Sequence, residues 1–364
     1  VRFPFNAYLA AVLSAAATTA ITLPLWRRWV IKAGLVDAPG ERKIHHEPIP
    51  LAGGLAVMTG LALPTLAAAL LIWLQSGGAH FDEGSQRAYS GYPLTERSRP
   101  VHDTPVLKSE SAYLLRHGLD VRAWRLAGIL FGAAGMLLVG VLDDRHELRP
   151  WPKFLGQLAV GIVVAASGAR ITLFVHNMAF SYLVTVLWIL TLINAFNFMD
   201  NMNGLCAGVG AIGAGCFGII AATSPAGTSG EDRQYLVAIL AFLACGAMVG
   251  FLPWNFPRAR AFLGDGGSHL VGYLLAVLAI LPHFYTPAHP VRWAVLKPLI
   301  VLAIPLADLV WVVLHRASRG QPFYVGDTNH FSHRLVQLGF TKTNAVLAIW
   351  LAAVVCGVLA CALI

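Results

Sequence analysis

The chain has 364 residues, 57% of them hydrophobic and 12% charged, whereas a soluble domain carries roughly 25% charged residues. That composition excludes a soluble globular enzyme and points to a polytopic membrane protein. The net charge of +8 would suit a nucleic-acid binder, but the basic residues are spread over many short loops and form no stripe. No nucleic acid is therefore expected, and anionic lipid headgroups or a phosphorylated substrate fit better.

Apolar segments long enough to cross about 30 Å of hydrocarbon fall at roughly 3–26, 51–74, 123–142, 154–174, 178–199, 205–222, 235–252, 267–282, 294–315 and 343–364. The expected fold class is all-α: a polytopic helical bundle of about ten transmembrane helices, forming one integral membrane domain over residues 1–364. The first run is not followed by a small-residue cleavage site, so it reads as a span and not as a removed signal. The fourth segment is interrupted by Gly168 and Arg170, and the eighth is short. The second connection, residues 75–125, mixes Gly, Pro and Ser with both signs of charge and reads as a polar external insertion, with a short helix around Ser109 to His117. Cys206, Cys216, Cys245, Cys356 and Cys361 lie in apolar runs without metal-ligand spacing and read as packing residues. No internal repeat of the kind many transporters carry is evident.

Ten spans put the first, third, fifth, seventh and ninth connections on one face. These carry 14 Lys and Arg, against 5 for the termini and short loops opposite, so the positive-inside rule places them in the cytoplasm. The insertion adds seven basic residues outside but offsets them with six acids.

Those five connections also hold the chemistry. Asp143 and Asp144 end an apolar helix side by side, which costs repulsion unless a cation or a shared proton relieves it. The stretch Asn194–Gly204, NAFNFMDNMNG, sets four amides and an acid between two apolar runs, where unpaired polar groups would be costly in hydrocarbon. Asp265 sits in FLGDGGS, where glycines let a ligand approach the backbone and a helix N-terminus favours anions. Hard oxygens of this kind suit Mg²⁺, which shares its shell with phosphate and water. Arg42, Lys43, His45 and His46 form a cationic group fitted to phosphate. His330 and His333 are three apart on one helical face, with Asp327 and Arg334 beside them. Taken singly, each feature also reads as a cap, a polar turn or a topogenic charge.

In this order and on one face, the motifs resemble the polyprenyl-phosphate N-acetylhexosamine-1-phosphate transferases, enzymes of the glycosyltransferase 4 type. The set comprises D-x-P-x-x-R-K-x-H-x-x-P-x-P-x-x-G-G from Asp37 to Gly54, the Asp143–Asp144 pair, N-x-x-N-x-x-D from Asn194 to Asp200, G-D-x-G-S from Gly264 to Ser268, and D-x-x-H-x-x-H-R-L from Asp327 to Leu335. The resemblance implies transfer of a sugar 1-phosphate from a UDP-HexNAc, UDP-GlcNAc first among them, to undecaprenyl or another polyprenyl phosphate. UMP is released, and a lipid-linked cell-envelope glycan is started at the cytoplasmic face of a bacterial plasma membrane. It further implies Mg²⁺, with Mn²⁺ as an alternative ion, and admits a homodimer.

By the same resemblance, Asn197 and Asp265 are the metal ligands, Asp143 activates the lipid phosphate and Asp144 supports it. Asp200, His330 and His333 complete the catalytic set, and Arg42, Lys43, His45, Asn194 and Arg334 contact phosphate or sugar. Phe262 stacks on uracil and Asn203 reads its edge. The chain departs from the pattern at Asn201 and Asn203, where the family commonly has Gly and an acid, and at Ser332, where it commonly has a histidine. Two alternatives stand beside this reading: the phospho-MurNAc-pentapeptide translocase branch of the family, and an ion-coupled transporter, which would hold its acids near the bilayer midplane.

Overall fold

The computed structural model describes residues 3–38, 47–75, 109–171, 177–223, 234–282, 292–322 and 329–363. Helices dominate: α1 (Phe5–Lys32), α2 (Gly53–Gln75), α3 (Ser109–His146), α4 (Pro150–Ala166), α5 (Met178–Met199), α6 (Leu205–Thr223), α7 (Tyr235–Asn255), α8 (Gly264–Ile280), α9 (Lys297–Val301), α10 (Ala303–Ser318), α11 (Phe331–Gln337) and α12 (Lys342–Ala362). A 3₁₀ turn at Arg292–Leu296 precedes α9. Two short strands, β1 (Val36–Asp37) and β2 (Ile49–Pro50), pair antiparallel.

Helix ends follow local chemistry. The Asn177 side chain accepts the Phe180 N–H at 3.1 Å to start α5, and the Thr341 hydroxyl accepts the Asn344 N–H at 3.2 Å to start α12, as such residues do at N-caps. Pro150 occupies the first position of α4, where its missing N–H costs nothing. Gly168, at φ +93°, follows the end of α4, so the fourth segment stops as a helix at Ala166 and does not reach residue 174. Residues 109–117, expected as a separate short helix, are instead the beginning of α3.

Among the described residues, seven helices are long and apolar enough to cross a membrane, and eight crossings result if the bent pair Trp293–Val301 and Ala303–Ser318 is one span. The expected ten would require α4 and α8 as well. Each has 17 residues, about 26 Å of helix against about 30 Å of hydrocarbon. The 70° bend interrupts the expected straight span 294–315. Its cause is Pro305 in the first turn of α10, which has no N–H to continue the ladder and whose ring crowds the carbonyl four residues back.

The buried centre of the bundle is α8. Every residue from Gly266 to Ala279 is buried, and α2, α3, α5, α6 and α7 all pack on it. A helix apolar all round belongs in such a position. Large apolar side chains on α1, α2, α3 and α12, among them Leu13, Leu66, Phe131 and Leu351, face outward, as a lipid-facing surface requires. The protein is a multi-pass membrane protein. Close approach of α3 to α8 depends on Gly140, where a Cβ would strike the backbone of Asp265.

Candidate active site

The five motif-bearing connections meet at one end of the bundle around a cleft of about 1290 Å³. Its walls come from Asp37 and Leu51 at the hairpin, Asp143 and Asp144 on α3, Asn197 in the last turn of α5 with Asp200, Asn201 and Asn203 after it, Phe262 before α8 with Gly264 and Asp265 in its first turn, and His333 on α11. The hairpin is tied to the α7–α8 connection by backbone bonds, Phe262 N–H to Pro50 O at 3.0 Å and Gly53 N–H to Phe262 O at 2.9 Å. Sequence-distant motifs are thereby held in one wall.

At the floor of the cleft, oxygens from three helices converge on the ammonium of Lys153, near the start of α4. Lys153 Nζ lies 2.7 Å from Asp143 Oδ2 and 2.9 Å from Asp265 Oδ2, and it donates to Asn197 Oδ1 at 3.4 Å. Asn197 Nδ2 in turn donates to Asp265 Oδ1 at 2.8 Å and to Ser268 Oγ at 3.0 Å, which turns its oxygen toward the same point. Two carboxylates and an amide oxygen around a cationic centre are a donor set for a hard divalent ion, so Asn197 and Asp265 fit the ligand assignment, with Asp143 beside them. A ring nitrogen of His269 also lies within 4.8 Å of ligand oxygens of Asp143 and Asp265.

Asp144 has a different task. Its Oδ1 accepts the Asp265 N–H at 2.8 Å and its Oδ2 the Gly266 N–H at 3.1 Å. The carboxylate caps the N-terminus of α8 from a neighbouring helix, satisfying donors that α8 cannot satisfy itself. Gly264 makes room for it: φ is +73°, and a Cβ would lie 2.7 Å from Asp144 Oδ2. Asp143 Oδ1 accepts the Leu148 N–H at 2.9 Å, leaving Oδ2 for Lys153.

Asp200 ends α5 at the cleft wall. Burial, reinforced by the negative charges of Asp265 and Asp144, pushes its carboxyl up to about 8. Asn203 and Phe262 line the same cleft, and the Asn203 amide donates to Pro257 O at 3.2 Å. Asn194 points elsewhere, donating to Gln157 Oε1 at 3.0 Å and to Leu190 O at 2.8 Å. His330 is buried, its Nδ1 2.7 Å from Asp308 Oδ2. Arg334 stacks its guanidinium over Trp311 at 4.6 Å. The departure at Ser332 has a partner in the departure at Asn201: the serine hydroxyl donates to Asn201 Oδ1 at 2.6 Å, so the two exceptional residues bond to each other. Arg42, Lys43, His45, His46 and Asp327 lie outside the described residues.

Four site residues escaped the sequence reading: Lys153, Gln157, His269 and Asp308. Lys153 borders the predicted fourth span, where a basic residue reads as a topogenic flank. His269 carried a usable signal, since it stands four residues after Asp265 on the same helical face. Asp308 carried a signal too, as an acid inside the apolar run 294–315, whereas Gln157, a lone amide in an apolar helix, offered none.

All three acid positions thus sit at helix ends around one cleft, where a transporter would hold them at mid-membrane. Residues 126–283 match the family model of glycosyl transferase family 4. Over that segment the chain is similar to this family. The whole chain is 27% identical over 344 residues to the probable undecaprenyl-phosphate N-acetylglucosaminyl 1-phosphate transferase of Bacillus subtilis, covering 92% of this chain and 78% of that protein. It is 27% identical over 362 residues to the decaprenyl-phosphate N-acetylglucosaminephosphotransferase of Mycobacterium tuberculosis, covering 93% and 78%. With the undecaprenyl-phosphate alpha-N-acetylglucosaminyl 1-phosphate transferase of Escherichia coli the identity is 26% over 352 residues, covering 92% and 78%. The family-matched segment contains the acid pair, Lys153, Asn197, Asp200 and Asp265.

Proposed function

We propose that the protein transfers N-acetylglucosamine 1-phosphate from UDP-N-acetylglucosamine to a polyprenyl phosphate, undecaprenyl phosphate first among them, and releases UMP. The observation that carries the reading is the oxygen-lined cation seat of Asp143, Asp265 and Asn197 at the floor of a large cleft, in a chain whose relatives are named for this transfer. An oxygen of the lipid phosphate forms a bond to the sugar-bearing phosphorus, and the bond from that phosphorus to the bridging oxygen breaks, so the oxygen leaves with UMP.

Two anions must approach each other in this step, and the barrier falls if fixed cations neutralise them. Mg²⁺ held by Asp265 and Asn197 would supply Lewis-acid charge to the diphosphate. Lys153, released from its carboxylates, supplies a second positive charge within reach of the same group. Asp143 orients and activates the acceptor phosphate, while Asp144 keeps the α8 N-terminus and Asp265 in register. Phe262 and Asn203 receive the uracil, and His333 faces the incoming phosphates. The site opens to the cytoplasm of a bacterial cell, where the nucleotide sugar is made, and the Lys and Arg bias of the motif loops supports that side.

The test is UMP release by the purified full chain with undecaprenyl phosphate and a panel of UDP-sugars, with and without chelator. UDP-N-acetylglucosamine should be turned over only when divalent ion is present. Turnover of the MurNAc-pentapeptide nucleotide alone would move the protein to the translocase branch, and turnover in chelator would remove the ion from the reaction.

A further inference from the structure

Behind the cation seat lies a residue that the proposed transfer does not use. His269 follows Asp265 by four positions, one turn deeper along α8 and on the same face. It is fully buried at 0% exposure. Among the described residues its Nδ1 has no hydrogen-bond partner, and its Nε2 meets the Gln157 amide nitrogen at a long 3.4 Å. A buried polar nitrogen left unpaired is costly, and a bound partner would remove that cost.

Geometry indicates what that partner is. One ring nitrogen of His269, one carboxylate oxygen of Asp143 and one of Asp265 all lie within 4.8 Å of one another. Donors held about 2.0–2.2 Å from one ion are separated by about 3 Å when adjacent and about 4.3 Å when opposite, so these three atoms span little more than one coordination sphere. Resting on the proposed cation site, we infer that His269 is a nitrogen ligand of that site and biases it toward a first-row transition ion over Mg²⁺. Mg²⁺ takes oxygen donors and parts reluctantly with water, whereas imidazole suits the transition series. When Nδ1 binds the ion the ring proton sits on Nε2, and Gln157, buried beside the ring and bonded to Asn194 at 3.0 Å, must turn its amide oxygen to Nε2 to accept that proton, as outer partners of metal-bound histidines do.

The test uses Mn²⁺ as a spectroscopic probe on the full chain in detergent, without nucleotide. Electron spin-echo spectra of the Mn²⁺-loaded protein should show nitrogen modulation that changes when histidine is isotopically labelled. The modulation should persist in His330→Gln and His333→Gln and vanish in His269→Leu. Paired titrations should show the preference for Mn²⁺ over Mg²⁺ falling by about tenfold in His269→Leu. Mn²⁺ bound without nitrogen modulation, or an unchanged preference, overturns the inference and leaves the oxygen site standing. No Mn²⁺ bound to wild type, with Asp265→Asn indistinguishable from it, defeats the cation site and the inference together. Should His269→Leu fail to fold, the labelled wild-type spectrum and the two control variants still decide.

Discussion

Asp143 and Asp144 are adjacent in the chain yet have different partners, and the difference predicts different phenotypes. Asp143→Asn keeps the volume but removes the charge that faces Lys153, so UDP-sugar binding should survive while turnover falls by about 10²–10³-fold. Calorimetry across a Mg²⁺ series alongside UMP release separates the roles: rescue of turnover by excess Mg²⁺ would move Asp143 into the metal shell. Asp144→Asn instead loses one of the two acceptors that cap α8, so thermal stability and activity should drop together. Asp200 has a pH signature. Its folded-state value of about 8 lies above the ordinary 3.8, so the folded chain holds a proton that the unfolded chain releases. In metal-free protein its contribution to stability is therefore greatest at low pH and declines as pH rises from about 4 to about 8. Asp200→Asn should flatten the melting-temperature profile over that window, and an unchanged slope would assign the dependence to other groups. The acids were legible in the sequence because charge is costly within apolar runs and stands out there. Lys153 was not, since a lysine at the border of a span looks the same whether it faces headgroups or two carboxylates.

Among the elements, α8 and α11 show what helix patterning reveals and what it conceals. The length of apolar runs located every long helix, but it could not distinguish a lipid-facing helix from one enclosed by five others, and α8 reads as a short span though it is the buried core. The bend at Leu302 was hidden because its flanks are apolar on both sides, so only Pro305 marked it. The approach of α3 to α8 can be tested at Gly140, where a Cβ meets the Asp265 backbone. Gly140→Val should push the helices apart at a cost of about 1–3 kcal/mol, lowering the melting temperature and displacing Asp265, with a loss of Mg²⁺-dependent UMP release larger than that of Gly156→Ala, whose nearest neighbour is the Val139 side chain and not backbone. For α11, the anchor is Asp308 on α10, which accepts the Phe331 N–H at 2.8 Å and faces the His330 ring. This seats the short helix that brings His333 to the cleft. Asp308→Ala should loosen α11 and raise the KM for substrate while the bundle still melts cooperatively. An unaltered KM would make the pair a packing feature alone.

For the whole molecule, the path of the chain constrains topology more tightly than helix lengths do. The five motif connections line one cleft, so between any two consecutive ones the chain must leave that end of the bundle and return. Between Lys153 and Asn194 the outward leg is α4 and the returning leg α5; between Asp265 and His315 the outward leg is α8 and the return is the bent pair. On this path the two 17-residue helices would have to traverse the bundle, although they are short for a bilayer. This is feasible for α8, which protein encloses, because local mismatch is borne by neighbours and not by lipid. Met178, where α5 begins, should accordingly face away from the cleft, and Arg319, just after α10, should lie on the cleft side. Single cysteines at these exposed positions, placed in a chain whose five native cysteines are replaced, can be probed in intact cells with an impermeant maleimide. The 178 position should react from outside and the 319 position only after permeabilisation, as the charge bias of the loops requires. Labelling of both from one side would break the alternation and return α4 to a surface-lying helix, and a reversed pattern would put the cleft outside, away from any cytoplasmic nucleotide sugar.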